Sequence, residues 1–155
     1  MPAAEVLVTM AATLRETAMN YLARREHSRR ELEQKLAQKG YEAEDIRAEL
    51  DRLVEDGLLS DARFAEAFVH ARRQRGHGPL KIQAELKQRG VDDGLIQHCL
   101  EMPDDDWHEL AREARGKRFG AALPESHEQR LRQSRFLQQR GFTHAQIRAA
   151  MKAEQ

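Results

Sequence analysis

The chain has very few cysteines and few rings: Cys99 is the only cysteine in 155 residues, and aromatic side chains make up 5%. A lone cysteine excludes an intramolecular disulfide framework and fits a reducing compartment. The shortage of rings means that any one core must be built mainly from aliphatic side chains. No run of about 18 apolar residues occurs, so no membrane-spanning helix is expected. The opening stretch MPAAEVLVTMAATLRE lacks a basic n-region and carries Glu5 early. It reads as a frayed or helical N-terminus and not as a signal peptide. A soluble, cytoplasmic chain is the expectation. Neither charge sign dominates, with 26 basic and 26 acidic side chains.

Signatures of catalysis and of cofactor binding are missing too. Seven histidines (His27, His70, His77, His98, His108, His127 and His144) are scattered, and none has a second histidine or a cysteine at the i+4 spacing of a helical metal site. There is no HExxH, no CxxC and no GxxxxGK[ST] phosphate loop. His98 and Cys99 are adjacent, so their side chains diverge on a helix. Cys99 lies between Ile96 and Leu100 and reads as a packing residue. The acidic triplet Asp104–Asp106 follows Pro103 and precedes WHELA, which suits a helix start better than a Mg²⁺ site. Trp107, the sole tryptophan, is expected to be partly buried. The chain is therefore expected to be no enzyme and to need no cofactor and no metal.

What is present is a frame written three times: LAQKGYEAEDIRAEL at 36–50, LKQRGVDDGLIQHCL at 86–100 and LQQRGFTHAQIRAAM at 137–151. Aligned on Gly40, Gly90 and Gly141, each copy has a leucine four residues earlier and a large apolar residue one later. An isoleucine stands at +6 and Leu or Met at +10. The glycine can take the left-handed conformation that closes a helix. Asp92 and Thr143 suit the N-cap of the next helix, whereas Glu42 is a poor cap. The residue just before each cap and the isoleucine at N4 form a hydrophobic staple. Each frame thus predicts helix, tight turn, helix, a helix-turn-helix-like corner.

A further helical pattern precedes each corner: 14–26, 61–74 with Asp61 as its expected cap, and 104–119 with acids in its first turn and basics in its last. SRRE (28–31) and SHEQ (126–129) have capping-box form, and GHGP (76–79) places Pro79 at a first helical position. No window alternates as a strand would. The predicted fold is all-α, with three tandem three-helix repeats forming an elongated, curved molecule. Residues 1–13 are taken as an N-terminal extension, and the repeats as 14–60, 61–110 and 111–155. Residues 111–155 carry ten basic and four acidic side chains, so the last repeat is expected to be net basic.

Basic residues recur near the end of each repeat's first helix: Arg24/Arg25, Arg72/Arg73/Arg75 and Arg115/Lys117/Arg118. A single cluster of this kind is usually the solvated face of a helix. Recurrence in all three repeats points instead to a shared face for a polyanion or an acidic partner.

The runs YLARREHSRRELEQKL and LVEDGLLSDARFAEAFVHARRQRGHGPLKIQAELKQRGV, with the closing RFLQQRGFTHAQIRAAM, resemble the RecX family of bacterial regulatory proteins over residues 14–151. The resemblance implies three tandem three-helix repeats and a non-enzymatic modulator of the RecA recombinase, placing the chain in DNA repair, recombination and the SOS response. It implies binding in the helical groove of the RecA–single-stranded DNA filament, with inhibition of ATPase, strand exchange and co-protease activities. A monomer is expected, with weak direct DNA contact and no membrane partner. The partner-binding residues it implies are Arg24, Arg25, Arg29, Arg72, Arg73, Arg75, Lys81, Arg115, Lys117 and Arg118. Two other readings of the residues stay open. One is a helix-turn-helix protein acting directly on DNA, although the second corner helices of the first two repeats carry exposed acids. The other is a hydrolase using Cys99, which lacks catalytic partners.

Overall fold

The computed structural model describes residues 12–153. The expected frayed or helical segment at the N-terminus lies mostly outside them. Nine helices and no strand occur among the described residues. They are α1 (Leu14–Arg24), α2 (Arg29–Gln38), α3 (Ala43–Glu55), α4 (Asp61–Gln74), α5 (Pro79–Gln88), α6 (Asp93–Leu100), α7 (Asp104–Phe119), α8 (His127–Gln139) and α9 (His144–Ala150). In sequence they form three three-helix blocks, α1–α3, α4–α6 and α7–α9. The chain divides into two compact units, with the boundary between Phe64 and Ala65.

All three corners close by the same hydrogen bonds. Tyr41, Val91 and Phe142 donate their backbone N–H to the carbonyls of Leu36, Leu86 and Leu137 at 3.4, 3.2 and 3.1 Å. Gly40, Gly90 and Gly141 donate to Ala37, Lys87 and Gln138 at 3.0 Å each. This pairing is the Schellman motif, and it needs a positive φ at the glycine. The observed φ values are 96°, 79° and 96°. The leucine four residues before each glycine is therefore C3 of its helix, and all three such leucines are fully buried. Four helices start with complete capping boxes, from Thr13 with Glu16, Ser28 with Glu31, Ser126 with Gln129 and Thr143 with Gln146.

Two expectations need correction. Asp61 does not cap α4. Ser60 does, accepting from the Arg63 N–H at 3.1 Å, while the Asp61 carboxylate accepts from the Arg29 N–H at 2.8 Å and so serves the start of α2. The placement of a boundary at residues 110 and 111 also fails, because α7 runs unbroken from Asp104 to Phe119. Counted from Asp104, the third block holds ten basic and eight acidic side chains. Its positive excess is thus confined to the C-terminal part of α7 and the residues beyond that helix.

In the first unit, α1 packs on α2 and α3, and α2 packs on α3. Ala18, Leu32, Leu36, Ile46, Leu50, Leu53 and Leu59 form the core, with Leu14, Tyr21, Leu22 and Tyr41 half-buried against it. Burying a leucine is worth about 1.5–3 kcal/mol, so an aliphatic core of this kind holds a small block without aromatic bulk.

In the second unit, α5 packs on α6, and α7 packs on both α8 and α9. The GHGP segment joins the second and third blocks at the level of the backbone. Gly78 donates its N–H to the Arg140 carbonyl at 2.7 Å, and Leu80 donates to the Gly141 carbonyl at 2.9 Å. A Cβ at Gly78 would meet Gly141 C and O and Phe142 N, each at 2.5 Å. A Cβ at Gly141 would run into Lys81. Glycine is required at both positions because two main chains touch there.

Candidate functional site

The residues on one face of α7 follow from helical spacing. Leu110, Glu113, Ala114, Lys117 and Arg118 recur at i, i+3, i+4, i+7 and i+8. This strip lines a cleft of about 480 Å³ in the second unit. The C-terminal end of α4 and the turn after it contribute His70, Arg73, Gln74, Arg75 and Gly76, and the end of α8 contributes Phe136 and Arg140. Five permanent cations (Arg73, Arg75, Lys117, Arg118 and Arg140) therefore surround a floor of Leu110, Ala114 and Phe136, with Glu113 the one acid in the lining. Like charges gathered in a concave surface focus the field and draw anions.

Several contacts set the guanidinium positions. Arg140 donates from Nη1 to the Arg75 carbonyl at 3.2 Å and sits 5.0 Å from the centre of the Phe136 ring. Arg118 lies 5.6 Å from the Phe119 ring and 6.0 Å from the Phe136 ring. The two rings meet edge to face at 5.4 Å. Arg73 lies 5.8 Å from the Trp107 ring, and its Nε is buried with no acceptor among the described residues. Nearby, burial pushes the His77 imidazole below its ordinary value, and Lys81, Arg140 and Arg72 push the same way.

The structure separates the ten expected partner-binding residues into four sets. Arg73, Arg75, Lys117 and Arg118 come together in the cleft. Others are engaged within their own unit. Arg25 makes a two-pronged bridge to Glu31 at 3.2 and 3.1 Å, and Arg29 bonds Asp51 at 2.6 Å. Arg72 bonds Glu85 at 3.0 Å and lies 4.3 Å from the Phe68 ring. Arg24 is exposed on the last turn of α1, and Lys81 is half-buried near the start of α5. Arg115 is different, being 5% exposed. Its guanidinium donates to the carbonyls of Ala150 at 3.0 Å and Ala122 at 3.1 Å, and more loosely to those of Gly120 and Ala121. It clamps the α7–α8 loop and α9 together and presents no charge to a partner.

Sequence reasoning missed Arg140. A signal existed, since Lys39, Arg89 and Arg140 all stand immediately before the corner glycine. It also misplaced Arg115, although Trp107, Ala111, Ala114 and Arg115 recur at the spacing of a buried helix face, and all four are buried.

Among the described residues no group of His, Cys, Asp and Glu is arranged to hold a metal ion, and no helix is long and apolar enough to cross a membrane.

Comparison with known families gives this arrangement its context. The models for the first, second and third three-helix domains of RecX match residues 15–53, 60–100 and 104–151. The chain belongs to the RecX family. The regulatory protein RecX of Halorhodospira halophila is 51% identical over 140 residues, covering 90% of this chain and 87% of the relative. The regulatory protein RecX of Chromohalobacter salexigens is 48% identical over 143 residues, covering 92% and 93%. The crystal structure of RecX from Lactobacillus salivarius superposes with a TM-score of 0.75 at 22% identity, covering 88% of this chain and 91% of that one. The RecX fold of three three-helix domains is thus shared at low identity, and the relatives at high identity are regulatory proteins.

Proposed function

We propose that this RecX-family chain is a non-enzymatic, cytoplasmic regulator that binds the RecA–single-stranded DNA filament in its helical groove and inhibits ATPase, strand exchange and co-protease activity. The observation that carries the reading is the cleft in which Arg73, Arg75, Lys117, Arg118 and Arg140 converge. A filament of recombinase and DNA offers acidic protein surface and phosphates, and both are met by a concave cationic patch. Arg24 on the first unit supplies a further exposed cation. Weak contacts from separate blocks of one chain combine through effective concentration, so no single contact needs to be strong.

The test is the RecA ATPase on single-stranded DNA with this protein added below one copy per recombinase. The expected result is inhibition that weakens about tenfold in the Lys117→Gln/Arg118→Gln double variant, which removes two exposed, charge-assisted contacts. Arg72 is a poor choice for this purpose because its bond to Glu85 makes its removal a structural change. Full inhibition by the double variant would show that the cleft does not dock the filament.

A further inference from the structure

We infer that the cationic cleft is a site for a run of adjacent phosphates, as in a nucleoside triphosphate or free tripolyphosphate. The inference goes beyond filament binding and stands on the cleft alone. Its volume of about 480 Å³ falls within the range of roughly 300–1,000 Å³ usual for small-ligand sites. Five cations against the single carboxylate of Glu113 give it a charge that a triphosphate nearly matches. A polynucleotide strand sets its phosphates a nucleotide apart, each with one charge. A triphosphate concentrates the same chemistry in one place, as the cleft concentrates its cations.

The donors suit phosphate oxygens. Guanidinium groups bind them in two-pronged fashion, and the Lys117 ammonium acts as a point charge. The buried Arg73 Nε has no acceptor among the described residues, and a buried N–H without an acceptor is costly. With its Nε closed to solvent, Arg73 meets a phosphate in the cleft only through the outer part of its guanidinium. The apolar floor of Leu110, Ala114 and Phe136 lowers the local dielectric, which strengthens each contact.

The experiment is calorimetric titration of the full chain in metal-free buffer, without recombinase or DNA, using sodium tripolyphosphate, ATP, adenosine and sulfate. Tripolyphosphate and ATP are expected to bind saturably at one site, adenosine not to bind, and sulfate to bind far more weakly. Lys117→Gln/Arg118→Gln, both exposed residues, should weaken tripolyphosphate by about tenfold. Glu113→Gln should tighten it by about threefold, by removing a like charge. Trp107 emission should change with the same midpoint, because Arg73 lies beside its ring. If tripolyphosphate gives no saturable heat, if sulfate binds as well, or if the two variants do not move in opposite directions, the inference is wrong. Since no recombinase is present, its failure leaves the filament reading untouched, and failure of the filament assay leaves this one untouched.

Discussion

Replacing Gly78 by serine is a severe test of the contact between the second and third blocks, because local and tertiary physics predict opposite signs. The residue at the N-cap of the middle helix is serine in the first and third blocks, Ser28 and Ser126, and glycine in the second. Judged by capping alone, Gly78→Ser stabilises α5 by a few tenths of a kcal/mol. Its φ of −91° poses no obstacle to a side chain. The tertiary structure says otherwise. The new Cβ would lie 2.5 Å from three backbone atoms of Gly141 and Phe142, and backbone cannot swing aside as a side-chain tip can. Overpacking of this kind costs about 1–3 kcal/mol. Opening the gap also strains the bonds from Gly78 and Leu80 to Arg140 and Gly141, each worth about 1 kcal/mol. The expected net loss is about 3 kcal/mol, read by urea denaturation monitored through helical circular dichroism and Trp107 emission. Gly40→Ala and Gly141→Ala form the control pair. Both glycines have φ of 96°, so both variants bear the left-handed penalty of about 1–2 kcal/mol. Only Gly141 meets another chain segment, at Lys81, whereas nothing lies within 4 Å of a Cβ at Gly40. A Gly78→Ser protein as stable as the parent, or equal losses at Gly40 and Gly141, would refute the backbone contact.

Arg115→Ala should cost at least about 3 kcal/mol by urea denaturation, since it strands several carbonyls; Arg115→Lys should recover only part of that, because one ammonium cannot span the loop and α9. The His27 imidazole is buried, accepts from the Lys35 ammonium at 2.8 Å and contacts the Arg25 carbonyl at 3.1 Å. Burial chiefly, with Arg25 and Lys35 adding to it, holds it below its ordinary value of 6.5. The unfolded chain therefore takes up the proton more readily, so this stabilisation is complete above pH 6.5 and is lost as pH falls from there through the lower folded-state value. Urea titrations across that window should show a slope that is shallower in His27→Gln and shallower again when His77→Gln is added. Burial, with Glu66 as a lesser cause, pushes the Cys99 thiol up, and labelling by a thiol reagent at neutral pH should be slower than for a free cysteine; labelling at the free rate would show that the side chain is open.

The local architecture was legible because the corners are written in local chemistry. A glycine that must take positive φ, a leucine at C3 and a serine or threonine three residues before Glu or Gln need no distant partner to have their meaning. The charges were less legible for the opposite reason. Arg25, Arg29, Arg72 and Arg115 look alike in the sequence, yet Glu31, Asp51, Glu85 and a set of carbonyls occupy them within the fold. Asp61 likewise reads as a cap for the helix it begins, and only the packing of the first unit shows it serving α2. The cleft depends on three elements from two blocks, so neither the spacing in α4 nor that in α7 reveals it alone.

Arg140 belongs to two systems at once. Its carbonyl accepts the bond from Gly78 while its guanidinium lines the cleft. The aperture between α4 and α8 is consequently set by a seam of main chain that carries no charge of its own. Loosening that seam with one methyl group would spread the cations and lower anion affinity while every lysine and arginine stayed in place. A loss of activity in such a variant would look electrostatic in the assay and be steric in origin.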